Sequence, residues 1–243
     1  MLIINADDLG RSQIATDRIL ECYAERRITS TSAMVFMEDS ERAAARAKNC
    51  GIDLGLHLNF TETLTGPSVP QPVRRSHERT RNFLRASKYA LILYNPFLRR
   101  DFRDLYGAQV NEFARLYGSA PSRMDGHQHM HLCTNMLYDR MIPTGMKVRR
   151  SFSFQPGEKG FLNLRYRKAV DRRLARRHVL SDHFFALSQH LNRACLNRIL
   201  ELAAVVNVEL MTHPEVNSEY EFLLSDQFAE SIGAVQVGVY RSL

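Results

Sequence analysis

Asp7-Asp8, His57, the run His127-Gln128-His129-Met130-His131, and His213-Pro214 are the residues of this chain whose types and spacing can do chemistry. Neutral imidazoles and a carboxylate hold a divalent ion while leaving positions open for water and substrate. Such an ion acidifies bound water and polarises a carbonyl. A second carboxylate can take the proton of the water, and a more distant histidine can return one to a leaving amine. Two adjacent acids and histidines at three further places meet those needs, so metal-assisted hydrolysis is the chemistry they suit. Each motif also has a plainer role. Paired aspartates cap helices, and a lone histidine in an apolar run such as His57 suits a hydrogen-bonded core. The three alternating histidines resist that reading, because strand-like alternation would crowd three imidazoles onto one face. No GxSxG elbow, GxGxxG turn or GxxxxGK[ST] loop occurs, which leaves serine-hydrolase, dinucleotide and P-loop chemistry without support.

These residues must be brought together by the elements that carry them. Short β-branched runs alternate with helical patterns, which predicts an α/β fold with a mainly parallel sheet. Strands are expected at Leu2–Asn5, Thr29–Phe36, Leu54–Leu58, Arg123–Asp125, Met146–Arg149, Ser181–Ala186, Val206–Thr212 and Val235–Tyr240. Helices are expected at Ile14–Arg26, Ser40–Cys50, Leu162–Arg177 and His190–Val205, with a short helical region near the end. Seven or eight strands in one domain spanning 1–243 favour a TIM-barrel-like (β/α) arrangement with irregular closure over an open doubly wound sheet. A helical insertion of about 62–118 carries two helices that part near Asn95-Pro96. In a parallel barrel the four motifs fall just past strand ends, on the face where such enzymes keep their sites.

Composition bounds the rest. A hydrophobic share of 44% and a charged share of 24% are those of an ordinary globular chain of 243 residues. No apolar run is long enough for a transmembrane helix, and the N-terminus lacks the marks of a signal peptide. Four scattered cysteines with no CxxC pair fit a reducing cytoplasm better than a disulfide framework. The net charge of +7 gathers in Arg74 to Arg100 and Arg165 to Arg177. Without aromatic-interleaved strands or zinc-finger spacing, nucleic acid is not the expected partner.

At its motifs the sequence resembles the YdjC-like family of carbohydrate deacetylases, which includes chitooligosaccharide deacetylases and a hopanoid-biosynthesis-associated branch. The matching residues are Asn5-Ala6-Asp7-Asp8-Leu9-Gly10, Gly55-Leu56-His57-Leu58, Asp125 to His131, and Thr212-His213-Pro214, in the family's order. The resemblance implies a barrel-like fold, one divalent metal, hydrolysis of the N-acetyl amide of an amino sugar, and often a homodimer. Asp7 is then similar to the proton acceptor, and Asp8 and His57 to metal ligands. The second metal histidine falls in the cluster and is placed at His127. His129 and His131 are weaker candidates for contacts with substrate or with the metal ligands, Asp125 is expected to orient one of these rings, and His213 is the candidate general acid. Glu215 departs from the glycine common there and adds a negative charge beside the proposed acid. Ligand chemistry favours zinc, whereas the resemblance suggests magnesium.

Two rival expectations stand beside this one. The first is another metal-dependent hydrolase on the same scaffold, acting on a phosphoester or a different amide. The second is a non-catalytic basic binding module. Residues 81–100 mix apolar and basic side chains, which suits either a helix packed on the barrel or an interfacial helix in peripheral contact with an anionic membrane.

Overall fold

The computed structural model describes residues 1–48, 50–154, 158, 160–191, 193–233 and 235–243. Six parallel strands form one sheet in the order β4-β3-β2-β1-β6-β5. They are β1 (Leu2–Leu9), β2 (Ser30–Ala33), β3 (Asp53–Leu58), β4 (Met124–Gly126), β5 (His183–Ala186) and β6 (Val208–Thr212). The helices are α1 (Gln13–Ala24), α2 (Ser40–Ala47), α3 (Gln71–Arg85), α4 (Arg99–Tyr117), α5 (Thr134–Tyr138), α6 (Phe161–Ala175), α7 (Arg193–Ala203), α8 (Asn217–Leu224) and α9 (Asp226–Gly233). Every residue of β1 and β6 is buried, as expected of parallel strands covered on both faces. The main cluster of buried apolar side chains draws on all six strands, among them Leu2, Ala33, Leu56, Met124, Phe185 and Leu210.

The sheet curls without forming the seven or eight full strands expected. The segment expected as a strand at Met146–Arg149 makes only two isolated bridges, Met124 to Val148 and Lys147 to Val179. It spans the gap between the β4 edge and the chain entering β5. Val235–Tyr240 likewise gives a single bridge, Leu2 to Val237, before a 3-10 turn at Tyr240–Ser242. Backbone bonds run to Met124 and Val179 only as far as Arg149, and the ladder ends where the Ser151 N–H donates to the Asp171 carboxylate instead.

The insertion holds the two expected helices, α3 and α4. The segment 81–100 is not one helix, however: α3 stops at Arg85, and two 3-10 turns, Ala90–Ile92 and Pro96–Leu98, precede α4. Proline holds Asn95 extended, and the Asn95 side chain caps the second turn by accepting from the Phe97 N–H. Among the described residues no helix is long and apolar enough to cross a membrane. Cys22, Cys50 and Cys133 are free thiols, and the Cys195 side chain lies outside the described residues.

Candidate active site

Two adjacent residues of a strand point to opposite faces, so Asp7 and Asp8 could not share a site in a regular β1. The pairing of β1 with β2 slips between Ala6 and Leu9, and Asp8 takes a left-handed φ of 72°. That conformation costs a non-glycine residue on the order of 1 kcal/mol. It turns the Asp8 carboxylate to the same end of the sheet as Asp7. Both are buried.

The β3–β4 register sets His57 beside Asp125, and the two side chains bond, Nδ1 to Oδ1, at 2.7 Å. His57 Nε2 then lies 3.2 Å from Asp8 Oδ1. His127, just past β4, brings Nδ1 to 3.1 Å from the same oxygen. Asp8, His57 and His127 thus converge as one group of ligand atoms within 4.8 Å of one another. Burial opposes a charge on His57, but Asp7 and Asp125 outweigh it and push its pKa up to about 10. A position among three carboxylates favours a cation, and a divalent ion would meet that demand. Both imidazoles are also backed by a carboxylate on the nitrogen facing away, His57 by Asp125 and His127 Nε2 by Glu62 at 3.4 Å. Such partners fix the ring and raise its basicity as a ligand.

The cluster does not behave as a strand. Residues 127–132 form a 3-10 turn in which Gln128 and His129 have φ of 52° and 59°, so the three imidazoles diverge. His127 goes to Asp8. His129 packs its ring edge-on against Phe152, at 4.5 Å between centroids. His131 Nε2 meets the backbone oxygen of Arg149 at 3.0 Å. Burial, aided by Arg149, holds His129 well below the usual histidine range, and burial pushes His131 down to about 4. Both are therefore neutral rings near pH 7, and neither joins the Asp8 group.

Asp7 is held from several directions. Arg149 grips both of its oxygens, at 2.6 and 2.7 Å, while Asn5 and Ser32 donate to Oδ1 at 2.7 and 3.0 Å. Burial would raise the Asp7 pKa, but the Arg149 charge overrides it and keeps the carboxylate below its ordinary value. Arg149 itself is fully buried and also contacts Asp125 at 3.1 Å and Glu209 at 2.7 Å. Glu209 accepts from the Tyr240 hydroxyl, and Arg123 reaches Asn5 beneath β1. Gly55 makes room for that arginine, since a Cβ there would sit 2.8 Å from the Arg123 side chain.

His213 follows β6, where the pairing with β1 sets Thr212 beside Ala6. Its side chain is 31% exposed and makes no direct bond to Asp7 or Asp8. Burial lowers its pKa, but Glu219, Asp7 and Asp8 prevail and raise it above the usual value. Glu215 does not crowd this ring with a loose charge. Its carboxylate pairs with Arg11 at 3.0 Å and accepts from Ser12 at 3.2 Å.

Arg149, Glu209, Arg123 and Glu62 are the site residues missed from the sequence. The signal for three of them was present: Arg123, Arg149 and Glu209 stand inside segments expected to be buried strands, and a charge there requires a partner.

Fold and site together define a parallel α/β protein with a candidate divalent-metal centre at the carboxyl ends of its strands. Residues 1–234 match the YdjC-like protein family, and the chain belongs to it. It is 35% identical over 133 residues to a chitooligosaccharide deacetylase of Proteus mirabilis, a match covering 54% of this chain and 50% of that one. The matched stretch is thus about half of that relative's length. A chitooligosaccharide deacetylase of Enterobacter sp. is 26% identical over 222 residues, covering 88% of this chain and 81% of that one. Among solved structures, a candidate cellobiose-phosphate cleavage protein of Enterococcus faecalis superposes with a TM-score of 0.66 at 18% identity, covering 99% of this chain and 97% of that one. That likeness concerns the fold alone.

Proposed function

We propose that this protein hydrolyses the N-acetyl amide of an amino sugar, in an oligosaccharide or a glycolipid, and releases acetate with the help of one divalent metal ion. The observation that carries the reading is the convergence of Asp8, His57 and His127 with Asp7 directly alongside, in a chain whose relatives are named as deacetylases. A divalent ion at those three ligands, zinc or magnesium, would activate water and polarise the amide carbonyl. Asp7 accepts the water's proton, with Arg149 keeping it ionised and aimed. His213, whose protonated form Glu219, Asp7 and Asp8 favour, delivers a proton to the departing amine. His129, with Phe152 and Tyr166, borders a cavity of about 190 Å3 beside the site, and these rings suit the apolar faces of a sugar. The exposed side chains of Tyr89, Ile92, Leu93 and Phe97, next to Lys88, Arg99 and Arg100, keep a glycolipid among the substrates to test. The homodimer rests on the family resemblance.

Acetate release from N-acetylglucosamine oligomers, run against phosphate release from phosphoesters, tests the reaction. Phosphate release alone would overturn it in favour of a phosphoesterase on the same scaffold. Elemental analysis and anomalous scattering, on protein purified without chelator, test the ligands. An ion held by side chains other than Asp8, His57 and His127 would refute that assignment.

Glu219 gives a pH test of the proton donor. A carboxylate that raises the His213 pKa extends the protonated range upward, so removing it shortens that range. Glu219→Gln is therefore expected to move the alkaline limb of the kcat profile to lower pH, with metal content unchanged. A limb that stays in place would separate Glu219 and His213 from proton delivery.

A further inference from the structure

Four arginines meet at a cavity that the deacetylation reaction does not use. Arg140, Arg173, Arg176 and Arg177 line a space of about 240 Å3 between α5, the loop that follows it and the end of α6. Its floor is apolar, from Met136, Ile142 and Leu174, and the His131 ring closes its inner side. None of Asp7, Asp8, His57 or His127 borders it.

Charge decides what such a space takes. Some arginines of this chain are neutralised by carboxylates, such as Arg42 by Asp17 and Asp39, Arg115 by Glu41 and Glu112, and Arg150 by Asp171. Among the described residues, none of the four cavity arginines has a carboxylate within ion-pair distance. Arg173 donates to the Leu137 oxygen at 3.3 Å and Arg177 to the Thr144 hydroxyl at 2.9 Å, which satisfies donors but neutralises nothing. His178, on the same cavity, has its pKa lowered by burial and by the Arg177 charge, as a local positive field requires. Four arginines lining one space without a carboxylate give it a positive charge that an anion would offset. The planar guanidinium fork matches the oxygens of a phosphate.

We propose that this cavity is a phosphate-binding site, taking either a free phosphate or the phosphate of an anionic phospholipid headgroup. The site lies apart from the metal ligands, so binding is read without any deacetylation.

Calorimetric titration with inorganic phosphate and pyrophosphate is the first arm. Saturable binding that weakens as salt is raised is expected, because the attraction is between charges partly open to solvent. Each Arg→Gln change should weaken it about tenfold, the effect of losing one charge-assisted hydrogen bond. Replacing all four with lysine should restore part of the affinity, since charge returns without the fork. Flotation with vesicles of phosphatidylcholine alone, or with added phosphatidylglycerol, is the second arm. Recruitment only by the anionic vesicles, lost when all four arginines become glutamine, assigns the site to a headgroup. Saturable binding of the free anions, lost in the same variant, assigns it to free phosphate. Binding in neither arm overturns the proposal, as does binding that the glutamine variant retains in full. Arg140, Arg173 and Arg176 are exposed and Arg177 is half-buried, so folding of the fourfold variant is to be checked. Circular dichroism checks that, and the Arg173→Gln/Arg176→Gln pair decides if the fourfold variant does not fold.

Discussion

Asp7→Asn is expected to keep its metal ion and lose about two to four orders of magnitude in turnover, the usual contribution of a positioned general base. The substitution is a sparing one structurally. Asparagine retains one oxygen, which can keep the bonds from Arg149 Nη2, Asn5 and Ser32 at the expense of the one from Arg149 Nη1, and Arg149 still has Asp125 and Glu209 to balance its charge. Asp8, His57 and His127 are untouched, so metal content is the control that separates loss of a base from loss of the centre. A variant that turns over like its parent with full metal content would remove Asp7 from the reaction. Binding of substrate should change little, because the proton moves only on the way to the transition state.

The proposed division between Asp7 and Asp8 came from the family resemblance, and the backbone that brings both carboxylates to one place was not legible in the sequence. Two neighbouring carboxylates at a strand end predict a site only if something breaks the alternation of the strand. The break is the left-handed Asp8 and the slipped β1–β2 register, and neither leaves a mark in residue types. His57 and His127 were legible because a parallel sheet must gather its strand ends on one side. The spread of the three clustered histidines was not, since an alternating pattern reads as a strand where the backbone in fact turns at Gln128 and His129. Sheet size was overestimated for a related reason. Met146–Arg149 and Val235–Tyr240 have strand-like composition, but polar groups in them take bonds elsewhere, and the two segments make only isolated bridges, two and one respectively. The helices were easier, because periodicity over ten or more residues survives local irregularity. Thus α6 and α7 fall where the apolar spacing put them, to within a few residues at either end.

The largest effect on stability is expected at Arg149. This guanidinium is fully buried and touches Asp7, Asp125 and Glu209. Replacing it with methionine fills much of the volume yet strands three buried carboxylates with no shared cation. Removing one partner of a buried ion pair costs about 3–5 kcal/mol, far more than the pair contributes over a well-packed apolar substitute. Arg149→Met should therefore fall near the upper part of that range in chemical denaturation, or fail to accumulate as folded protein. Arg123, which reaches Asn5 and lies near Asp125, cannot take over, because Arg149 alone bonds both oxygens of Asp7. The charge argument makes a second demand that a volume argument does not. Adding Glu209→Gln to Arg149→Met removes one of the stranded charges, so the double variant should be more stable than Arg149→Met itself. Coupled groups of this kind commonly deviate from additivity by about 0.5–3 kcal/mol. Glu209 already has a raised pKa, from burial that Arg149 only partly offsets, so it is the carboxylate that loses most when the arginine goes. If the two substitutions simply added, each lowering stability independently, the cost at Arg149 would be one of packing. The buried cation would then hold Asp7 in place without holding the fold together.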